Sequence, residues 1–388
     1  MELIKPGTNI DFIGLRKYAF GFSLVLILIT IGSLIYHGGP NYGVDFAGGI
    51  LIQTAFEEPI TPDRIRQSLA EVGLGDASVQ RFGDKEANEF LIRAQEREGV
   101  DLANLTQTIR QALEKGSGAG KVEIQRVEMV GPKVGADLRE KALLALFAAL
   151  LLIAVYISGR FEMKWFVAAF MAGALGLVSY GAALAGVGLT LMILLAVVVT
   201  LALCWFLKLK YALGAVVALI HDVIITVGIF SLTGKEFTLP IVAALLAIIG
   251  YSLNDTIIVF DRIRETLGRA GRQEFGNVLN RAINDTLSRT VLTSVTTLLV
   301  VVSLLVLGGG VIHDFAFALT VGILVGTYSS IFVASPILLL FQEQHPAAVK
   351  AKKDQAPAKV QAPAASQTQP PQAKPKKKTT KKKKKKKK

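Results

Sequence analysis

Residues 248–265 read IIGYSLNDTIIVFDRIRE. The chain around them is apolar from Leu239 to Phe260, except where Asp255 stands beside Asn254 and Ser252. A helix needs roughly 20 apolar residues to cross a bilayer, and this run is about that long. A carboxylate inside such a helix costs on the order of 3 kcal/mol or more to insert, so it needs a partner, water or a task. What Asp255 does therefore decides how the rest of the chain is read.

The composition agrees with a helix in lipid. Of 388 residues, 52% are hydrophobic and 19% charged, with a mean hydropathy of +0.48. A soluble protein of this size carries more charge and lacks repeated long apolar runs, so this is a polytopic α-helical membrane protein. The net charge of +13 is concentrated in one place. Residues 342–388 carry 16 Lys against Glu343 and Asp354, which leaves the rest of the chain near neutral. Cys204 is the one cysteine, and His37, His221, His313 and His345 are scattered. Neither an internal disulfide, a metal cluster nor a cofactor site is expected from that set.

Taken in order, residues 1–17 form a short cytoplasmic N-terminus carrying Lys5, Arg16 and Lys17 ahead of an apolar run at 18–36. The run is longer than the roughly 7–15 residues of a signal-peptide core, and no A-x-A-like site follows, so it reads as a signal-anchor helix. Residues 37–140 form the one long polar segment within the body. Strand character at 50–56, 79–82, 89–94 and 121–130 alternates with helical stretches at 61–72 and 102–115. Thr61-Pro62-Asp63 is a helix start, and Gly73 and Gly116 are stops. The order βαββαβ predicts a small ferredoxin-like α+β domain. It carries no nucleophile–base arrangement and no phosphate-type glycine loop. The preceding GVDFAGG, residues 43–49, reads by itself as a turn-rich linker.

Apolar runs then follow at 142–158, 165–186, 189–207, 211–233, 238–260, 287–307 and 315–341. With the anchor they make about eight spans. Arg160 and Lys164, Lys208 and Lys210, and the arginines of a loop at 261–286 all fall on one side. The opposite connections hold one cation, Lys235. The positive-inside rule then places both termini in the cytoplasm and residues 37–140 outside. The Pro-, Ala- and Lys-rich tail, 342–388, cannot bury a core and reads as disordered. Its terminal run, Lys381 to Lys388, suits anionic lipid or another polyanion such as RNA.

Polar residues gather in three of the spans. His221-Asp222 lies near the middle of 211–233. Asp255 lies about 8 Å inside the apolar end of its helix. Arg289, in a helix of opposite direction, sits a few residues inside the same leaflet, where Thr286, Thr293 and Thr297 share its face. Arg289 reads equally as a structural residue, since it can snorkel to the surface easily, or as a functional partner of Asp255. Asp222 reads equally as a structural anchor or a relay. Asp255 is different, because a carboxylate needed only for packing would be replaceable by Asn. Burial favours its neutral form and an approaching Arg289 its charged form, giving two protonation states tied to two helix arrangements. Gly322 and Gly326 form a GxxxG step, read as a close helix contact.

Several stretches together resemble one family. They are residues 42–49 (YGVDFAGG), 130–138 (VGPKVGADL), 160–162 (RFE), 218–229 (ALIHDVIITVGI), 249–265, 284–297 (NDTLSRTVLTSVTT) and 326–336 (GTYSSIFVASP). The chain resembles the SecF subunits of bacterial SecDF protein-export complexes, within the RND superfamily, over about residues 1–340. The resemblance implies an RND-type half-bundle that uses the proton motive force with SecD to promote preprotein translocation through SecYEG, with YajC and YidC as further partners. It places the proton-linked acid on Asp255 and its arginine on Arg289, with Asn254 and Asp222 beside them. Gly43, Asp45, Phe46, Gly48, Gly49 and His221 fall on its structural motifs. One departure is an insertion at about 163–208, read as two extra helices in a lipid-facing position beside the bundle. The opening pairs Lys164-Trp165 and Lys210-Tyr211 suggest a local duplication. The other departure is the Lys-rich tail, a candidate for ribosome or anionic-lipid contact. An RND-type exporter of small molecules or lipids is the alternative; such pumps carry two halves and two large outer domains. A static scaffold and an intramembrane hydrolase are the remaining readings, and the hydrolase lacks a nucleophile–base arrangement.

Overall fold

In the computed structural model, residues 8–75, 77–82, 88–94, 102–118, 120–162, 165–184, 187–269 and 273–344 are described. Helix α1 (Arg16–Tyr36) is followed by one helical turn, α2 (Val44–Ala47). Thus the segment expected as a linker is folded. Then come β1 (Gly49–Phe56), α3 (Pro62–Ala70), β2 (Ser78–Phe82), β3 (Glu89–Ala94), α4 (Leu102–Ser117) and β4 (Val122–Val130). The strands pair antiparallel in the order β2-β3-β1-β4. This is the ferredoxin-like sheet that the element order calls for.

The period of two along a strand decides which face is buried. Ile50, Ile52, Thr54 and Phe56 of β1 point inward with Phe90 and Ile92 of β3, Ile52 lying opposite Ile92. Ile65 and Leu69 of α3 and Ile109 and Leu113 of α4 close that face. Phe90 is fully buried and meets Phe56 edge to face, with ring centroids 5.7 Å apart. Phe90→Ala is expected to cost this domain about 3–5 kcal/mol through lost burial and a cavity. Hydrogen exchange should show it, with faster exchange in β1 and β3 and unchanged exchange in the helix bundle.

The bundle begins with α5 (Pro132–Glu162). Pro132 suits the first position of a helix, so residues 132–140 belong to α5 and not to the sheet domain as expected. Next are α6 (Trp165–Leu184), α7 (Leu189–Phe206), α8 (Lys210–Leu232), α9 (Leu239–Arg269), α10 (Phe275–Leu307) and α11 (Gly310–Ser329). The last continues through a π-helical turn, Ser330–Ala334, before its final residues. Among the described residues six helices are long and apolar enough to cross a membrane: α1, α5, α8, α9, α10 and the α11 run, Ile312–Phe341. The inserted pair, α6 and α7, has shorter apolar stretches, Trp165–Leu177 and Leu191–Phe206. It stands beside α5 and α8. Met171, Leu175 and Cys204 join the core of Ala154, Ile157 and Phe161, while Phe166, Phe170, Leu194 and Val198 face outward.

The expected loop at 261–286 is mostly helix, since α9 runs on to Arg269 and α10 starts at Phe275. Pairs at helical spacing sustain the extension. Arg262 meets Glu265 and Arg269 meets Glu265, each at 2.8 Å, and Arg262 ties α9 to Asp285 of α10 at 2.9 Å. Helix α8 is buried on most of its circumference, from Tyr211 to Ser231, which is why it reads as apolar all round. It packs against α1, α5, α7, α9 and α11.

Candidate functional site in the helix bundle

Close contact between α9 and α11 sets the site. A Cβ on Gly322 would come 2.3 Å from Ile248 Cδ1, and one on Gly326 would come 2.9 Å from Ser252 Cβ. Glycine at both positions lets the two helices approach until small polar side chains can meet across them.

They meet at Asp222, which is 1% exposed. Its Oδ2 accepts hydrogen bonds from Ser252 Oγ of α9 at 2.6 Å and Ser329 Oγ of α11 at 2.8 Å. Its Oδ1 lies 2.9 Å from Nδ1 of the adjacent His221. From His221 the chain continues through Nε2 to Ser23 Oγ of α1 at 3.1 Å, and from Ser23 to the Tyr328 hydroxyl at 3.1 Å. Tyr328 donates to the carbonyl of Ala19 at 2.8 Å. The protons along this chain can be counted. The Tyr328 proton is committed to Ala19, so Ser23 donates to Tyr328, and His221 Nε2 must donate to Ser23. Asp222 and His221 Nδ1 then share one proton between them. The pair is neutral overall, either as imidazolium and carboxylate or as imidazole and carboxylic acid. Four helices are tied together by these groups.

Asp255 stands a turn further along α9 from Ser252, also 1% exposed, in a different setting. Among the described residues neither of its carboxylate oxygens has a hydrogen-bond partner. Arg289 of α10 acts on it electrostatically without forming an ion pair, and is itself exposed on the flank of α10. The hydroxyls expected around Arg289 turn back on their own helix: Thr286 donates to Ala282 O, Thr293 to Arg289 O and Thr297 to Thr293 O. The Thr290 hydroxyl, also buried, is without a partner among the described residues. A buried carboxylate left unpaired is costly as an anion, and neutralisation is the usual escape. One carboxylate is therefore fastened by three neighbours, and the other is buried with no hydrogen-bond partner among the described residues.

The remaining candidates lie elsewhere. Asn254 is exposed on the outer side of α9 and makes no side-chain hydrogen bond among the described residues. Gly43, Asp45, Phe46, Gly48 and Gly49 sit at the junction of sheet domain and bundle, far along α9 from Asp255. Lys381 and Lys388 lie outside the described residues. Among the described residues no three His, Cys, Asp or Glu side chains are grouped to hold a metal. Ser23, Tyr328 and Ser329 were not anticipated. The available signal was the set of hydroxyls on α1: Ser23, Thr30 and Ser33 share one face, are buried, and look onto α8, where Ser33 meets Ser231 at 2.8 Å.

A small α/β sandwich on a half-bundle, built around two buried acids and fastened across α1, α8, α9 and α11, defines a multi-pass membrane subunit of the transport class. The family described as protein export membrane protein SecD/SecF, C-terminal, matches residues 109–180 and 176–344, and the SecD/SecF GG motif matches residues 34–60. The two matched segments meet inside α6, within the insertion. A protein translocase subunit SecF of Calditerrivibrio nitroreducens is 42% identical over 344 residues, covering 88% of this chain and 97% of that protein. Another, of Magnetococcus marinus, is 46% identical over 343 residues, covering 88% of this chain and 94% of that protein. The crystal structure of SecDF, a translocon-associated membrane protein from Thermus thermophilus, superposes with a TM-score of 0.64 at 30% identity over 87% of this chain. A second structure, SecDF in a super-membrane-facing form, gives 0.54 at 31% identity over 91% of this chain. The chain spans 39% and 41% of those longer SecDF chains. It belongs to the SecF family of protein translocase subunits.

Proposed function

We propose that this chain is the half of a SecDF-type machine that converts proton movement into preprotein export. It works with a SecD half at the SecYEG translocon of the bacterial cytoplasmic membrane. Asp255 is the proton-accepting group and Arg289 the cation that competes with the proton for it. Asn254, on the outer side of α9, would face the partner half. Asp222 fastens the helices between which Asp255 moves. Both termini lie in the cytoplasm and the sheet domain in the periplasm, as the cation distribution favours. The observation that carries this reading is Asp255 itself: buried in a membrane helix, without a hydrogen-bond partner on either oxygen among the described residues, and near an arginine it does not pair with. Such a group has two states of similar energy, and a shift of proton gradient can select between them.

The test is preprotein translocation into inverted membrane vesicles carrying this chain and its partner half, with and without a protonophore. Stimulation by the chain should vanish when the gradient is collapsed. Stimulation that survives the protonophore would remove proton coupling from the function. Loss of vesicle-bound SecD on purification of the chain would remove the proposed partnership.

A further inference from the structure

Residues 41–48 hold two parts of the molecule together. Phe237, in the hairpin between α8 and α9, donates its N–H to Asn41 O at 2.7 Å, and Gly43 N donates to Phe237 O at 3.0 Å, a short parallel bridge. Asn41 Nδ2 adds a bond to Gly234 O at 3.3 Å. Helix α9 then starts under the carboxylate of Asp45, whose Oδ2 accepts from Leu239 N at 2.8 Å. That bond fills a gap in the local sequence. Pro240 has no N–H, and Ile241 N turns back to Thr238 O at 3.1 Å, so the Leu239 N–H is the orphan donor of the first turn. An anion at this position also faces the positive end of the helix dipole. The rings of Tyr42, Phe46 and Phe237 close around the joint with centroids 6.1 to 6.4 Å apart.

The same hairpin grips the sheet. Arg93 of β3 forms an ion pair with Glu236, with side chains only 17% and 13% exposed. Gly48 has φ +76°, and a Cβ there would lie 2.8 Å from Pro132 Cα, so this end is wedged against the first turn of α5. We propose that residues 41–48 and the hairpin at 233–238 are a rigid joint that makes the sheet domain and the start of α9 one moving body. Asp45 and the Arg93–Glu236 pair are its positioning residues. Asp255 lies about 24 Å down α9 at 1.5 Å per residue. A shift of α9 set at Asp255 therefore reaches the sheet domain as a rigid-body displacement. This rests on the proton-coupled reading above for its purpose, though not for its mechanics.

The experiment uses the full chain with its partner half in the membrane, in a Cys204→Ser background. Spin labels at Glu114→Cys on α4 and Ala243→Cys on α9 report the distance between domain and helix. The distribution should be narrow in the parent and broad in Asp45→Ala and in Glu236→Ala. Gradient-stimulated export should fall about tenfold in both, within the usual range of coupling between sites. Asp45→Asn, which also caps a helix, and the exchange Arg93→Glu with Glu236→Arg should restore both readouts. Arg93→Cys with Glu236→Cys, without the labels, should lose export like Glu236→Ala, and a short thiol-specific cross-linker joining the two cysteines should restore it to the parent level. A distance distribution that stays narrow in Asp45→Ala and Glu236→Ala overturns the joint, and so does a cross-link that fails to restore export. Normal export in Asp255→Asn would instead sink the proton-coupled reading, and the label distances would still decide the joint.

Discussion

Asp255→Asn should reduce gradient-stimulated export to the level of membranes lacking the chain, while the protein accumulates and assembles normally. The two side chains have nearly the same shape, and they differ in that Asn cannot change charge. Loss of stability is not an available explanation for lost export, because neither carboxylate oxygen of Asp255 makes a hydrogen bond among the described residues that the amide would forfeit. A neutral amide is also cheaper to bury than a carboxylate, so the variant should be no less stable than the parent. The measurement is translocation into inverted vesicles, with recovery of the assembled complex assayed in parallel. Unchanged export would take Asp255 out of the mechanism. Lost export together with lost assembly would mean that the acid has a structural partner.

The sequence made the secondary structure and the position of Asp255 legible for the same reason. Apolar runs of membrane length and strands with period two are local patterns, and a single acid in such a run is conspicuous. The ferredoxin-like sheet followed from element order alone. Helix ends were harder to read, because α5, α9 and α10 continue past the apolar runs on charged, water-facing turns. Hydropathy registers only the part in lipid. The Asp222 network was hidden more deeply. Ser23 precedes His221 by 198 residues, with the sheet domain and three whole helices between them, and ordinary serines in apolar helices give no sign of whom they meet. Only the packing that Gly322 and Gly326 allow brings α9 and α11 onto α8. The role of GVDFAGG was equally opaque. Asp45 caps a helix that starts nearly two hundred residues later, and no local pattern announces a cap supplied from elsewhere in the chain.

Substitutions at Asp222 should behave in the opposite way to those at Asp255. Asp222→Ala strands the hydroxyl of Ser252, leaves Ser329 only the Gly326 carbonyl at 3.1 Å, and leaves His221 Nδ1 without its neighbour, all in a buried interior. Each unmet buried polar group costs about 1–3 kcal/mol, so the loss should be on the order of 3 kcal/mol or more. The four helices tied through this network should loosen together, seen as a lower thermal midpoint and faster proteolysis of the complex. Asp222→Asn should be tolerated. Its carbonyl oxygen can still accept from both serines, and its amide can donate to His221 Nδ1 while Nε2 keeps donating to Ser23, so every bond in the chain survives. What disappears is the proton shared by His221 and Asp222. If Asp222→Asn keeps both stability and gradient-stimulated export, the pair is a fastener and Asp255 alone carries the proton. If it folds normally yet loses export, that shared proton moves during the cycle, and the bundle holds two coupled proton sites where the geometry favours one.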